Sequence, residues 1–269
     1  MRVALGQIYV EYNQVESNLA RVQAAIAWAA TQGADLVLLP ETCLIGWTSD
    51  QAFALARPIP GPYTHRIARA ARDHAVYVCI GLTEKVAQGI YDSLALFGPD
   101  GRLLFKYRKI HNEGGFMNPN YLSGDLSQVE VFQFPLGKAV MVICADSFNA
   151  DVLDIIKGLD ADYVLVPYAW VTPTGTPAFP PVTVDASGRM TPVPLPQPPG
   201  QQKIYTLPEV VSTISAFMET PVVGVNLVGS VPSGVLANFE YRGASCVADA
   251  TGALTACCST DPELRLATV

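Results

Sequence analysis

A layered α/β domain with mixed sheets is the fold class this sequence predicts, and three observations predict it. Half of the 269 residues are hydrophobic and only 15% are charged, the composition of a chain that buries a thick core of strands and helices. Short apolar runs alternate with segments of helical period at the start of the chain and again in its second half. Between them lie consecutive strand-like runs with no helix, an order of hairpins rather than crossovers. Crossover units and hairpins in one chain give sheets of mixed direction.

The elements follow in order. Residues 2–10 (RVALGQIYV) form an opening strand, and 17–33 (SNLARVQAAIAWAATQG) predict a helix capped by Ser17 and closed by Gly33. ADLVLLPE, 34–41, is the short apolar run of a strand covered on both faces. A second helix is expected over 64–74. Strands follow over 75–85 and from Ile90, the latter ending in a Pro99-Asp100-Gly101 turn. LLFKYRK, VEVFQFP and KAVMVICAD read as three more strands. In 149–160, Val152, Ile155, Ile156 and Leu159 stand at helical spacing, and 161–170 (ADYVLVPYAW) returns to a strand. A strand, helix, strand pattern repeats in 208–230. Residues 238–249 and 252–260 read as an antiparallel pair joined by Thr251-Gly252.

Residues 171–202 are dense in proline, which removes backbone donors and favours extended conformations. The same alternation continues on both sides, so the segment is read as a long loop inserted into a single domain spanning 1–269, in the role of a lid or an interface arm.

Charge and motif content exclude several functions. A net charge of −7 and a pI near 4.9 leave no positive surface for nucleic acid or anionic lipid. No apolar run approaches the roughly 18 residues of a membrane span, and polar residues interrupt the N-terminus before a secretion signal forms. A soluble cytoplasmic protein is expected, with its six cysteines reduced. His65, His74 and His111 have no paired spacing for a metal, and no GxGxxG opens a helix after a strand. No cofactor is expected.

Three polar residues stand at the ends of apolar runs: Glu41 after LVLLP, Lys109 after LLFKYR, and Cys144 after VMVI. Alone, each has an ordinary reading as a solvated acid, a surface cation or a buried thiol. Together they are a base, a cation and a nucleophile at the carboxyl ends of strands, where α/β folds build their sites. Cleavage of a carbon–nitrogen bond through a thiol needs those three types.

With these residues in this order, the chain resembles the carbon-nitrogen hydrolase (nitrilase) superfamily over nearly its whole length. The resemblance lies in RVALGQ, GADLVLLPE, FKYRKIH, VICADSF, VVGVNLVG and YRGASCVAD with its DATG turn. It implies a four-layer α-β-β-α sandwich of two mixed sheets flanked by helices, commonly paired into a homodimer. It also implies roles: Glu41 as general base, Cys144 as nucleophile, Lys109 as stabiliser of the developing charge, and the Ala145 backbone as a further oxyanion donor. Many members carry a second glutamate beyond the lysine, and Glu113 is the nearby acid for that task. Tyr168 and Trp170 are expected as substrate walls. His111 and Asn112 either flank the entrance or occupy an exposed turn.

The lysine and a helix start beside the sulfur are expected to favour thiolate, and Asp146 is read as a cap for the helix that follows. The implied substrate is a small amide or carbamoyl compound, with nitrile hydrolysis or acyl transfer as alternatives on the same residues. A catalytically silent metabolite- or partner-binding homo-oligomer is the alternative from another class.

Overall fold

The first crossover fixes the frame. In the computed structural model, which describes residues 1–112, 120–180, 182–186, 189–193, 205–232 and 236–269, β1 (Arg2–Gln7) runs into α1 (Val15–Thr31) and returns as β2 (Leu36–Leu39), parallel to β1. After α2 (Ala52–Leu55) and α3 (Pro62–Asp73), β3 (Tyr77–Val86) adds in parallel; β4 (Gly89–Phe97) and β5 (Leu103–Arg108) then add as antiparallel hairpins. The closing strand of the chain (Glu263–Thr268) pairs antiparallel with β1, completing a six-stranded sheet.

The second sheet begins with β6 (Val131–Phe134) and β7 (Gly137–Met141), followed by α4 (Ala150–Lys157) and β8 (Tyr163–Pro167). Next come β9 (Val171–Pro173), β10 (Val182–Val184), β11 (Met190–Pro192), α5 (Leu207–Met218), β12 (Val222–Val225), β13 (Val228–Ser230), β14 (Phe239–Arg242), β15 (Cys246–Ala248), β16 (Leu254–Cys257) and the closing strand, β17. Eight of these strands form one sheet in the order β10-β11-β16-β15-β12-β8-β7-β6, while β13, β14 and β9 make a small third sheet.

Period-two alternation divides the core. Ala4, Val37, Leu39 and Ile80 pack with Val22, Ile26 and Ile67 of the helices outside the first sheet. Their neighbours Val3, Leu5, Leu36, Leu38, Leu94 and Leu96 point the other way and join Val140, Val142, Val164 and Val166 of the second sheet. Helices α4 and α5 contribute Val152, Ile156, Val211 and Ile214 to that larger cluster. The four layers α-β-β-α are those implied by the resemblance. No helix among the described residues is long and apolar enough to cross a membrane.

Several local expectations are corrected. Helix α1 begins at Val15, which is buried, so Ser17 lies inside its first turn and its hydroxyl donates to Glu11 instead of capping. Helix α5 is held by a capping box in which the Thr206 hydroxyl receives the Glu209 N–H while the Glu209 carboxylate receives the Thr206 N–H. The expected late hairpin is split. β15 and β16 do pair, but consecutive left-handed residues at Gly243 and Ala244 send β14 to the third sheet. The proline-rich segment is not a plain loop: β9 belongs to the third sheet, and the β10–β11 hairpin extends the large sheet through Met190 opposite Leu254.

Candidate active site

The strand ends bring Glu41, Lys109 and Cys144 to one place at the seam between the two large sheets. Glu41 follows β2, and its segment continues alongside β3 through hydrogen bonds from the Gly81 N–H to the Pro40 carbonyl and from the Cys43 N–H to the Gly81 carbonyl. A Cβ on Gly81 would stand 2.5 Å from the Glu41 Cα and 2.6 Å from the Pro40 oxygen. That close approach requires glycine. Gly81→Ala is expected to displace the Glu41 segment. Stability should drop by about 2 kcal/mol and kcat by about 100-fold, read by thermal melting and turnover.

Lys109 is the residue after β5, and its N–H donates to the Asp92 carbonyl at 2.8 Å, continuing the β4–β5 ladder. Its ammonium donates to Glu41 Oε1 at 2.6 Å and stands 3.6 Å from Asp92 Oδ2; all three side chains are fully buried. The other Glu41 oxygen accepts from the Ala169 N–H at 2.6 Å.

Cys144 ends the extension of β7 at a sharp bend. Its φ is +41°, a left-handed value that a residue with a Cβ adopts only under constraint, and a 3₁₀ turn over Cys144–Phe148 follows. Thr42, directly after Glu41, is held the same way at φ +43°. The nucleophile candidate and the residue after the base candidate therefore sit at over-determined backbone positions. The Cys144 thiol faces the Glu41 carboxylate and the Ala169 amide.

The electrostatics of the trio follow from burial and one cation. Burial alone would raise the Glu41 carboxyl, but the charge of Lys109 and several hydrogen bonds hold it below its ordinary value. Burial opposes the charge on Lys109, yet the acidic groups around it keep the ammonium firmly protonated. Burial and then the Glu41 charge push the Cys144 thiol well up, more than Lys109 and the Ala169 amide bring it down. The expected resting thiolate is thus corrected to a thiol: the lysine charge is already engaged by Glu41.

A pocket of about 150 Å³ opens at this site, lined by Lys109, Cys144, Ala145 and Ala169, with Glu41 fully buried outside the lining. Trp47, Phe148, Trp170 and Val171 form apolar walls around them. The Lys109 ammonium lies 5.6 Å from the Trp47 ring centroid, and the Phe148 and Trp170 rings meet edge to face at 5.6 Å. Trp170 and Ala145 line the pocket. Tyr168 does not: the chain leaves β8 at Pro167, and Tyr168 is fully buried behind the wall with its hydroxyl 2.7 Å from that of Ser147, which in turn donates to the Cys144 carbonyl.

Asp146 also departs from its expected role. Its carboxylate accepts the Tyr107 hydroxyl at 2.7 Å and the N–H groups of Ile110 and His111, so it clamps the segment carrying Lys109 rather than capping α4. His111 turns to Asp151 at 2.8 Å. Glu113 lies outside the described residues. Trp47, Phe148 and Asp92 went unread in the sequence, since GWTSD, DSFN and IYDSLALF mark them only as aromatics or an acid within ordinary runs.

Comparisons with known proteins identify the family and the fold. The family model for carbon-nitrogen hydrolase matches residues 2–269. A nitrilase from Pyrococcus abyssi is 33% identical over 187 residues, which cover 67% of this chain and 69% of the relative. Human omega-amidase NIT2 is 32% identical over 64% of this chain; that match spans 65% of the human protein, just under two-thirds of its length. Among solved structures, XC1258 from Xanthomonas campestris, a CN-hydrolase superfamily protein with an arsenic adduct in its active site, superposes with a TM-score of 0.78 at 20% identity, over all of this chain and 90% of that one. An amidase from Nesterenkonia sp. AN1, with acrylamide added to its active-site cysteine, superposes with a TM-score of 0.76 at 18% identity, over all of this chain and 93% of that one. A family model spanning all but the first residue, over a four-layer sandwich that joins acid, lysine and thiol, shows that this chain belongs to the carbon-nitrogen hydrolase family.

Proposed function

We propose that the protein hydrolyses the carbon–nitrogen bond of a small, uncharged amide through a thioester on Cys144. The observation that carries this reading is the meeting of Glu41 with Lys109 and Cys144, the latter two lining the pocket. The Cys144 sulfur attacks the carbonyl carbon as its proton passes to Glu41, and the carbonyl oxygen takes up the negative charge beside the Lys109 ammonium. Glu41 then gives the proton to the departing nitrogen, the carbon–nitrogen bond breaks, and ammonia leaves. Water attacks the thioester with Glu41 as base. Collapse releases the carboxylic acid, and the proton returns to sulfur.

A resting thiol suits this sequence, because proton transfer accompanies attack and leaves the proton on the residue that next needs it. The walls support the substrate class: Trp47, Phe148, Trp170 and Val171 favour a short apolar acyl group. The nitrilase relative supports nitrile hydrolysis as a second reading, in which the same sulfur forms a thioimidate.

The test is ammonia release from propionamide, butyramide, benzamide, an ω-amide of a dicarboxylic acid, an N-carbamoyl compound and the matching nitriles, with intact-mass detection of adducts. Turnover of the uncharged amides with an acyl mass on Cys144 is the expected result. Hydrolysis confined to nitriles, or exclusive preference for the charged ω-amide, would overturn it.

A further inference from the structure

The sheet that carries Glu41 and Lys109 places a second carboxyl against them. Asp92 lies in the middle of β4, with Thr83 as its cross-strand partner on one side and Lys109 next to it on the other. It shares a strand face with Leu94 and Leu96, which point into the layer between the sheets. Its side chain is fully buried, and among the described residues neither of its oxygens finds a hydrogen-bond donor. Leaving a carboxylate buried with no donor is costly, so the arrangement calls for an explanation.

The surroundings supply one. The Asp92 carboxyl faces that of Glu41, and two carboxyls bond to each other only when one of them holds a proton. Lys109, the cation between them, is 2.6 Å from Glu41 and 3.6 Å from Asp92. One buried positive charge balances one negative charge, and the shorter contact assigns that charge to Glu41. We propose that Asp92 is a positioning residue that stays neutral and donates its carboxyl proton in a hydrogen bond to Glu41, holding the base ionised and aimed at Cys144.

The groups facing Asp92 agree with this state. Burial and the Glu41 charge both favour its protonated form, and Lys109 opposes them less strongly; the more distant Asp146 acts in the same direction as Glu41. Tyr121, bridged to β4 at Ile90, also lies within the field of Asp92, with its hydroxyl buried beside that of Thr83. Asp92 is absent from the lining of the pocket, and its contacts are with Glu41 and Lys109, so its effect on chemistry passes through them. With Lys109, Ala169 and the thiol, Glu41 gains a ring of donors that lowers its proton affinity while substrate binds.

The proposal rests on Glu41 acting as the base in the thiol chemistry above, and its test separates the two. The first measurement is difference infrared spectroscopy of the wild-type protein against Asp92→Asn at neutral pH. A protonated-carboxyl carbonyl band that disappears in the variant is expected. Absence of that band in the wild type would overturn the proposal without any need for turnover.

The second measurement compares Asp92→Ala with Asp92→Asn, whose amide can still donate to Glu41. Asp92→Ala is expected to lower kcat about 10- to 100-fold, the worth of a hydrogen bond to a charged group, with KM within about twofold. Losing the donor favours protonated Glu41, so the acid limb of kcat/KM, and of Cys144 alkylation by iodoacetamide, should move to higher pH. Asp92→Asn should recover most of the lost rate and restore the limb. An unmoved limb in Asp92→Ala, or an Asn variant as impaired as the Ala variant, would overturn it. If Asp92→Ala does not fold, the infrared band and the Asn profile still decide.

Discussion

Lys109→Met is expected to leave the protein inactive and substantially less stable. The ammonium is fully buried against Glu41 at 2.6 Å and Asp92 at 3.6 Å. Removing one partner of a buried ion pair strands the other, at a cost of about 3–5 kcal/mol. Glu41 can escape that cost by taking up a proton, which also ends its use as a base. In the variant its folded pKa would then lie above the unfolded value. The protonated form is secured below the unfolded value, and that contribution fades as pH rises through the folded one. The deficit relative to wild type should therefore be smaller in mildly acid buffer than at neutral pH. The double variant Lys109→Met/Glu41→Leu replaces the pair with apolar volume and should regain much of the stability while remaining inactive. Urea denaturation at two pH values, with turnover measured in parallel, checks all three outcomes. Equal stability of wild type and Lys109→Met would refute the coupling.

Cys144→Ala should lower kcat by at least about 10⁴-fold, since removing a nucleophile removes the covalent route and not just one contact. Melting should change little, because alanine keeps the same strained backbone at φ +41°. Cys144→Gly gives a sharper comparison. Glycine adopts that φ freely, so relief of about 1 kcal/mol of strain should offset the lost side chain and keep the inactive variant near or above the alanine variant in stability. Intact mass after incubation with substrate should show no adduct on either. Retained turnover in Cys144→Ala would rule out the thiol mechanism.

Much of this site was legible in the sequence because its parts stand where local patterns stop. LVLLP ends at Glu41, LLFKYR at Lys109 and VMVI at Cys144, and a charge or thiol at the end of a buried strand is conspicuous. The strands themselves were legible from their apolar runs, and α1 and α3 from their period. Asp92 was hidden for the opposite reason: it lies mid-strand in IYDSLALF, where one acid reads as an ordinary solvent-facing residue. Only the register that places it beside Lys109 gives it a site. Tyr168 and Trp170 were grouped because a strand keeps residues two apart on one face, but the chain leaves β8 at Pro167, and Tyr168 turns to Ser147 behind the wall while Trp170 stays in it. The resting state of the thiol depended on which group already held the lysine, a fact of three-dimensional distances. Asp146 was similar, since its donors come from a strand nearly forty residues earlier in the chain.

The placement of the trio across the two large sheets has a mechanical consequence. Glu41 and Lys109 extend from β2 and β5 of the six-stranded sheet, whereas Cys144 extends from β7 and the Ala169 amide follows β8 of the other. The broad contact between the sheets, through Leu36, Leu38, Val140 and Val164, has no direction of its own, so alignment falls to the few hydrogen bonds that cross the seam, from Ala169 to Glu41 and from Tyr107, Ile110 and His111 to Asp146. A slide of about 1 Å between the sheets would cost that contact little and the reaction about 100-fold. The rate of the proposed reaction therefore works as a vernier scale for the alignment of the two sheets.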